Sequence, residues 1–195
     1  LGVEQEKARK AFADLVTQYN GIGRYYHNLA HVGLVLDTAD YLSHLARDYE
    51  KVQLAVWYHD VVYDPRAKDN EVQSAAYARR ILPELGFPAD TVARVSDLIL
   101  DTITHQAPDD DIDAQILLDA DLAPLAYDEA LFFKQSMALR QEFSYIPEDE
   151  YNQNRVRALN SFLARERIYQ TDKLYNELES KARHNLNRAL TILSQ

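Results

Sequence analysis

A chain of 195 residues, 47 % of them hydrophobic, has apolar material for one domain around one sizeable core. Its formal net charge of −10 argues against a nucleic-acid polymer as partner, since that affinity depends on clustered Lys and Arg meeting phosphates, and leaves open a small nucleotide neutralised by metal. With no cysteine, disulfides, iron–sulfur clusters and thiolate zinc sites are excluded, so any metal must be held by His and carboxylate.

No apolar stretch approaches the roughly 18 residues of a membrane helix, and the opening LGVEQEKARK lacks the apolar core of a signal peptide. A soluble cytoplasmic protein without a membrane partner is expected. The first residue is not Met, so a trimmed or incomplete start is expected as well. Nothing in the composition speaks to oligomeric state.

Apolar residues at Ala8, Phe12, Leu15 and Val16 predict a first helix over about 3–19, closed by the two glycines of Asn20-Gly21-Ile22-Gly23. A second is predicted from near residue 28 through Val32, Val35, Leu36, Ala39 and Leu42. A third carries Val52, Ala55, Val56 and His59, which puts His59 on the buried stripe. After a loop at 63–68, Asp69 is placed to cap a helix over about 70–85 that ends at Gly86-Phe87-Pro88. A fifth spans about 90–105, with Val92, Val95, Leu98, Ile99 and Ile103 inward, and stops at the acidic turn 107–111. A short apolar helix over 114–123 carries Asp119 and Asp121. Three more follow, at about 128–143, 148–168 and 172–193, with Pro147 and Thr171 at their starts. Period-two alternation, repeats and linkers are lacking, so the fold class is all-α, a single domain of eight or nine helices.

Three polar segments stand where a core wants aliphatics: Arg24 to His31 in RYYHNLAH, Trp57-Tyr58-His59-Asp60, and Leu118-Asp119-Ala120-Asp121-Leu122. His27 and His31, four apart, share a helix face if both are helical. His59 and Asp60 point about 100° apart and can meet one ion only if it sits between them. Each segment alone is ordinary. Together His31, His59, Asp60 and Asp121 supply two imidazoles and two carboxylates from apolar surroundings. An unpartnered buried carboxylate costs roughly several kcal/mol, which a divalent cation relieves. Such a set suits an octahedral Mn, Fe, Ni, Co or Mg ion. The bland alternative is a buried salt bridge, with Arg24 as the partner of Asp60.

These residues resemble the HD superfamily of metal-dependent phosphohydrolases over about 24–122. RYYHNLAHVGLVL is similar to the Tyr-His-Asn-x-x-His signature of cyclic nucleotide phosphodiesterases; with WYHDVVYD, DNEVQSA and LLDADLAPL the whole more closely resembles a compact bacterial family of predicted HD-type phosphohydrolases. The resemblance implies an HD-type helical bundle with its metal core within 24–122 and the helices of 128–193 packed on it. It implies His31, His59, Asp60 and Asp121 as metal ligands, Asp121 in preference to Asp119 because Ala120-Asp121-Leu122 is like the superfamily's last-ligand context. Asp119 then stands behind it. It makes His27 the acid that protonates the leaving oxygen, with Asp60 orienting the nucleophile and Asp64 or, by preference, Glu71 orienting water. Arg24, Asn28 and His105 are the residues expected at the substrate, His105 at a second metal or the phosphate. No glutamine-and-aromatic clamp for a purine is present, so cyclic-nucleotide specificity is not implied.

The activity expected is hydrolysis of a phosphate ester or anhydride of a small phosphorylated molecule, nucleotides included, by metal-activated water and a His general acid. Two alternatives stand beside it: a silent metal- or nucleotide-binding regulatory module, and a di-iron HD oxygenase. Arg165, Arg167 and Arg183 are expected to solvate helix faces, His44 and His184 to face water, and no tyrosine is assigned to catalysis.

Overall fold

Each apolar run at intervals of three and four closes into a helix in the computed structural model, which describes residues 4–194. The elements are α1 (Gln5–Tyr19), α2 (Leu29–Leu42), α3 (Tyr49–Tyr58), α4 (Asn70–Glu84), α5 (Ala89–Asp101), α6 (Ile112–Leu122), α7 (Glu129–Glu142), α8 (Glu148–Leu163) and α9 (Asp172–Leu193). Short 3₁₀ turns follow α2 at Ser43–Leu45 and α6 at Ala123–Ala126. Among the described residues there is no strand, and the nine α-helices form a single compact domain. No described helix is long and apolar enough to cross a membrane.

The architecture turns on α6. Nine of its eleven residues are buried, so it lacks a wet face and must lie inside the bundle. Helices α2, α3 and α5 pack around it, and α9 closes on the 3₁₀ turn at its end. Ile116, Leu117 and Leu118 are wholly buried, each contributing about 1.5–3 kcal/mol of burial. The polar members of α6 are satisfied one by one. Asp111 caps the helix through the Ala114 N–H and pairs with Arg94. Buried Asp113 accepts from the backbone N–H of Arg47 at 2.8 Å and so fixes the entry to α3.

Several boundaries differ from the periodicity. Residue 3, the expected start of the first helix, lies outside the described residues. The buried face of α1 is Leu15 and Tyr19; Phe12 is half exposed and meets Trp57 edge-on. Asp69 does occupy the position before α4, but its carboxylate accepts from the Gln73 side chain instead of a backbone N–H. The end of α4 is a glycine cap: Gly86 sits at φ 91°, and the Phe87 N–H reaches back to the Leu82 carbonyl.

Helix α5 ends four residues early, at Asp101. The Thr102 hydroxyl takes the Ile99 carbonyl at 2.6 Å, and His105 turns left-handed at φ 49°. Ile103, expected inward, is therefore exposed. Helix α8 ends at Leu163 instead of 168. Arg183 of α9 takes the carbonyls of Leu163, Arg165 and Glu166, and Arg165 takes those of Thr104 and His105. These arginines satisfy free helix and turn carbonyls; they do not solvate open faces. Arg167 likewise braces the turn, through the Tyr169 carbonyl and Asp172. The strap 164–171 is then pinned from below, its amides donating to buried Glu179 and Asp119.

Candidate metal centre

Asn28 has an extended backbone at the head of α2, and its Oδ1 accepts from the Ala30 and His31 N–H groups. That cap fixes where α2 begins and hence where His31, its third residue, points. Arg24 clamps the other side: its guanidinium donates to the carbonyls of His27 at 3.0 Å, Asp60 at 2.7 Å and Val61 at 2.8 Å, with Tyr19 and Tyr63 against its faces. Both residues are thus committed to backbone, and neither lines the cavity, which corrects their assignment to substrate. Arg24 meets the backbone oxygen of Asp60, not its carboxylate, so the bland salt bridge does not form.

His59 follows the last residue of α3, and its Nδ1 donates to the Val56 carbonyl at 2.8 Å. A carbonyl only accepts, so this bond keeps the proton on Nδ1 and turns Nε2 inward. There it faces His31 Nε2 at 3.3 Å. Asp60 Oδ2 lies 3.1 Å from His59 Nε2 and 3.6 Å from His31 Nε2. Asp121 Oδ1, from the last turn of α6, lies 3.1 Å from His31 Nε2 and 3.7 Å from His59 Nε2. His31, His59 and Asp121 form a trio with ligand atoms all within 4.8 Å of one another; Asp60 touches both histidines but is not part of that trio.

The donor set fits a divalent cation. With metal–ligand bonds of about 2.1 Å, neighbouring ligands sit roughly 3.0 Å apart in an octahedron and 3.4 Å in a tetrahedron. Two imidazole nitrogens that face each other cannot both carry a proton on the shared side, and a cation between them removes the conflict. Burial opposes charge on His59, yet the carboxylates of Asp60 and Asp121 outweigh it and hold its pKa up at about 9. Asp60 and Asp121 are held well below the carboxylate range: burial works against their charge and the surrounding histidines overcome it.

Two residues along α6 point to opposite sides, and the two aspartates divide accordingly. Asp121 enters the cluster, while Asp119 is wholly buried on the far side and accepts from Gln170 N, Thr171 N and the Thr171 hydroxyl at 2.6–2.8 Å. Asp119 therefore holds the strap and does not stand behind the cluster, a correction to its expected place. His105 does reach the site, where its Nε2 lies 2.9 Å from Asp121 Oδ2 and orients that carboxylate.

His27 precedes α2 and borders the cavity. Its Nδ1 lies 2.6 Å from Glu142 Oε2, while Glu142 Oε1 accepts from the Tyr26 and His27 N–H groups at 2.7 and 2.9 Å. The ring stacks on Tyr63 with centroids 4.1 Å apart. Burial disfavours a charged His27, but Asp60 and the Glu142 bond prevail and raise its pKa. Glu71 borders the same cavity. Asp64 caps its own loop through the Arg66 N–H and stays outside. His44 and His184 are exposed, as expected.

The cavity holds about 250 Å³. His59, Asp60 and Asp121 form its polar floor, and Leu122, Leu125, Phe132 and Phe162 an apolar wall. Glu142 and Arg155, from α7 and α8, are the residues that sequence reasoning missed. Both sit among other charges on surface helices, more than a hundred residues from His27 and His31, and no local signal separates them from a solvated face. Comparison of the chain with protein-family models, with curated proteins and with solved structures finds no match.

Proposed function

We propose that the chain is a metal-dependent phosphohydrolase of the HD type, cleaving a phosphate ester or anhydride of a small molecule, nucleotides included. One observation carries the reading: two imidazole Nε2 atoms and two carboxylates meet in one cluster, and His59, Asp60 and Asp121 of it line a cavity that a carboxylate-held histidine borders. His31, His59, Asp60 and Asp121 would hold the ion, and the oxygen- and nitrogen-only set suits Mn, Fe, Co, Ni or Mg. A divalent cation supplies Lewis acidity there, making water acidic near neutral pH and drawing charge from a phosphoryl oxygen.

The chain's own residues supply the rest. Glu142 accepts from His27 Nδ1, which leaves Nε2 as the nitrogen free to act and favours the charged ring. A protonated His27 at the cavity edge is suited to give its proton to a departing oxygen. His105 fixes the angle of Asp121, and Glu71 offers a carboxylate at the rim that can accept from water. The Glu142–His27 pair favours an enzyme over a silent binding module, because holding metal alone needs no carboxylate-primed imidazole beside the ligands.

The test is purified protein supplied with Mn²⁺ or Ni²⁺ and a panel of nucleotides and p-nitrophenyl phosphate, with His59→Ala as control. Phosphate release that exceeds the control and follows metal content supports the proposal. Release no greater than the control, from protein that retains its metal, sinks it.

A further inference from the structure

Arg155, midway along α8, borders the metal cavity and also an adjoining depression of about 400 Å³ that shares His27, Tyr63 and Glu71 with it. Other arginines that turn inward here are committed: Arg24 to three carbonyls, Arg140 to the carbonyls of Phe143 and Ile146, Arg165 to those of Thr104 and His105. Among the described residues Arg155 has no carboxylate or carbonyl partner. Burial lowers its pKa, and the groups acting against that are the hydroxyls of Tyr151 and Tyr26. Arg155 is partly buried at the cavity, and a guanidinium fork held there without a counter-charge is suited to an anion that arrives to complete it.

We propose that Arg155 anchors the phosphate of the substrate, and that the site takes a phosphomonoester with a compact apolar or planar body in preference to a di- or triphosphate. The inference rests on the phosphohydrolase reading of the cluster. A guanidinium fork matches two phosphate oxygens, and Arg155 lines the cavity with Tyr26, on which its charge acts. The two carboxylates on the floor offset a divalent ion, so Arg155 is the cation among the lining residues that remains to balance a phosphate. A second or third phosphate would meet Glu71 or the wall of Leu122, Leu125, Phe132 and Phe162, where no cation waits. The cavity itself, at about 250 Å³, lies below the roughly 300–1,000 Å³ usual for drug-sized ligands, and the adjoining depression of about 400 Å³ is lined by no Lys or Arg besides Arg155.

The experiment is calorimetry of inorganic phosphate binding to the manganese-loaded protein, its Arg155→Met variant and its Arg155→Lys variant, with manganese content and melting temperature measured on each. Met should weaken phosphate by about 10- to 100-fold, with Lys between, keeping charge but losing the fork. Manganese content should not change, and the ligand-free Met variant should melt at the same temperature or higher. An unaltered phosphate affinity in Arg155→Met that still holds its manganese overturns the proposal. If that variant fails to fold, Arg155→Lys decides, and wild-type affinity there overturns it equally. At fixed free manganese, a nucleoside monophosphate should displace phosphate more readily than the triphosphate, and the reverse order also overturns it. Wild-type protein that takes up no manganese defeats the phosphohydrolase reading by itself; the Arg155 dependence of phosphate binding to the metal-free protein then judges the anchor separately.

Discussion

Replacing Glu142 by Gln should cost about 1–2 kcal/mol of stability, and replacing it by Ala about 3–5 kcal/mol. The difference follows from what each side chain does with three donors. Glu142 is 4 % exposed and accepts from Tyr26 N, His27 N and His27 Nδ1. Gln keeps an oxygen for the two amides but presents an NH₂ to Nδ1, exchanging a charge-assisted bond of about 1.5–3 kcal/mol for a neutral one of about 0.5–1.5. Ala strands both amides in a buried place. The pH dependence is the sharper test. His27 has a raised pKa, so its contribution is present below about 6.5 and lost as pH climbs through the folded value. Glu142 has a lowered pKa, against burial and chiefly through His27, so its contribution is present above about 4.3 and lost as pH falls through the folded value. The gap between wild type and Glu142→Gln should therefore peak between about pH 4.3 and 6.5 and narrow on both sides. Urea unfolding at half-unit pH steps would measure it. A gap that is flat with pH, or a Gln variant as weak as Ala, would refute the claim that an ion pair holds His27.

Asp121→Ala should abolish retention of added Mn²⁺, whereas His27→Ala should keep the ion and slow turnover by roughly 10²–10⁴-fold; metal analysis beside the rate assay separates the two, and loss of the ion from His27→Ala would interchange the two upstream histidines. Burial pushes the Asp119 carboxyl up to about 6 despite its hydrogen bonds to Thr171 and Gln170. A raised acid is stabilising below about 3.9 and loses that contribution as pH rises through its folded value, so the stability of Asp119→Asn relative to wild type should improve by about 2 kcal/mol from pH 4 to 7. Denaturant titrations at the two ends would show it, and a difference that does not change with pH would contradict it. Arg24→Ala should unfold more readily by about 2–4 kcal/mol and Asn28→Ala by about 1 kcal/mol, as expected of a three-carbonyl clamp and a helix cap. A neutral Arg24→Ala, by thermal melt, would return Arg24 to the substrate.

What the sequence made legible was what breaks a local pattern. His59 interrupts the stripe Val52, Ala55, Val56, and Asp121 sits between buried Ala120 and Leu122, so both announce themselves as polar groups in apolar company. Helix α9 is visible from its periodicity, and α6 from its apolar run. The ends of α5 and α8 are not, because tertiary partners set them: Arg165 and Arg183, distant in sequence, take the carbonyls that would otherwise have continued each helix. Arg24 and Asn28 lie close to the histidines in sequence, but nearness along the chain does not tell a side chain that meets a ligand from one that binds backbone, as both of these do. Asp119 and Asp121 differ only in which way a helix turns, and a two-residue step changes a side chain's direction by about 200°.

That half-turn gives α6 the character of an axle. Asp121 projects toward the histidines and Asp119 toward the strap at 170–171, so the angular setting of one carboxylate is locked by the seating of the other. The carboxyl-terminal third is then the bearing in which the axle rests: cut away beyond α7, it would leave Asp119 without its donors, and α6 would be free to roll Asp121 out of reach of the histidines.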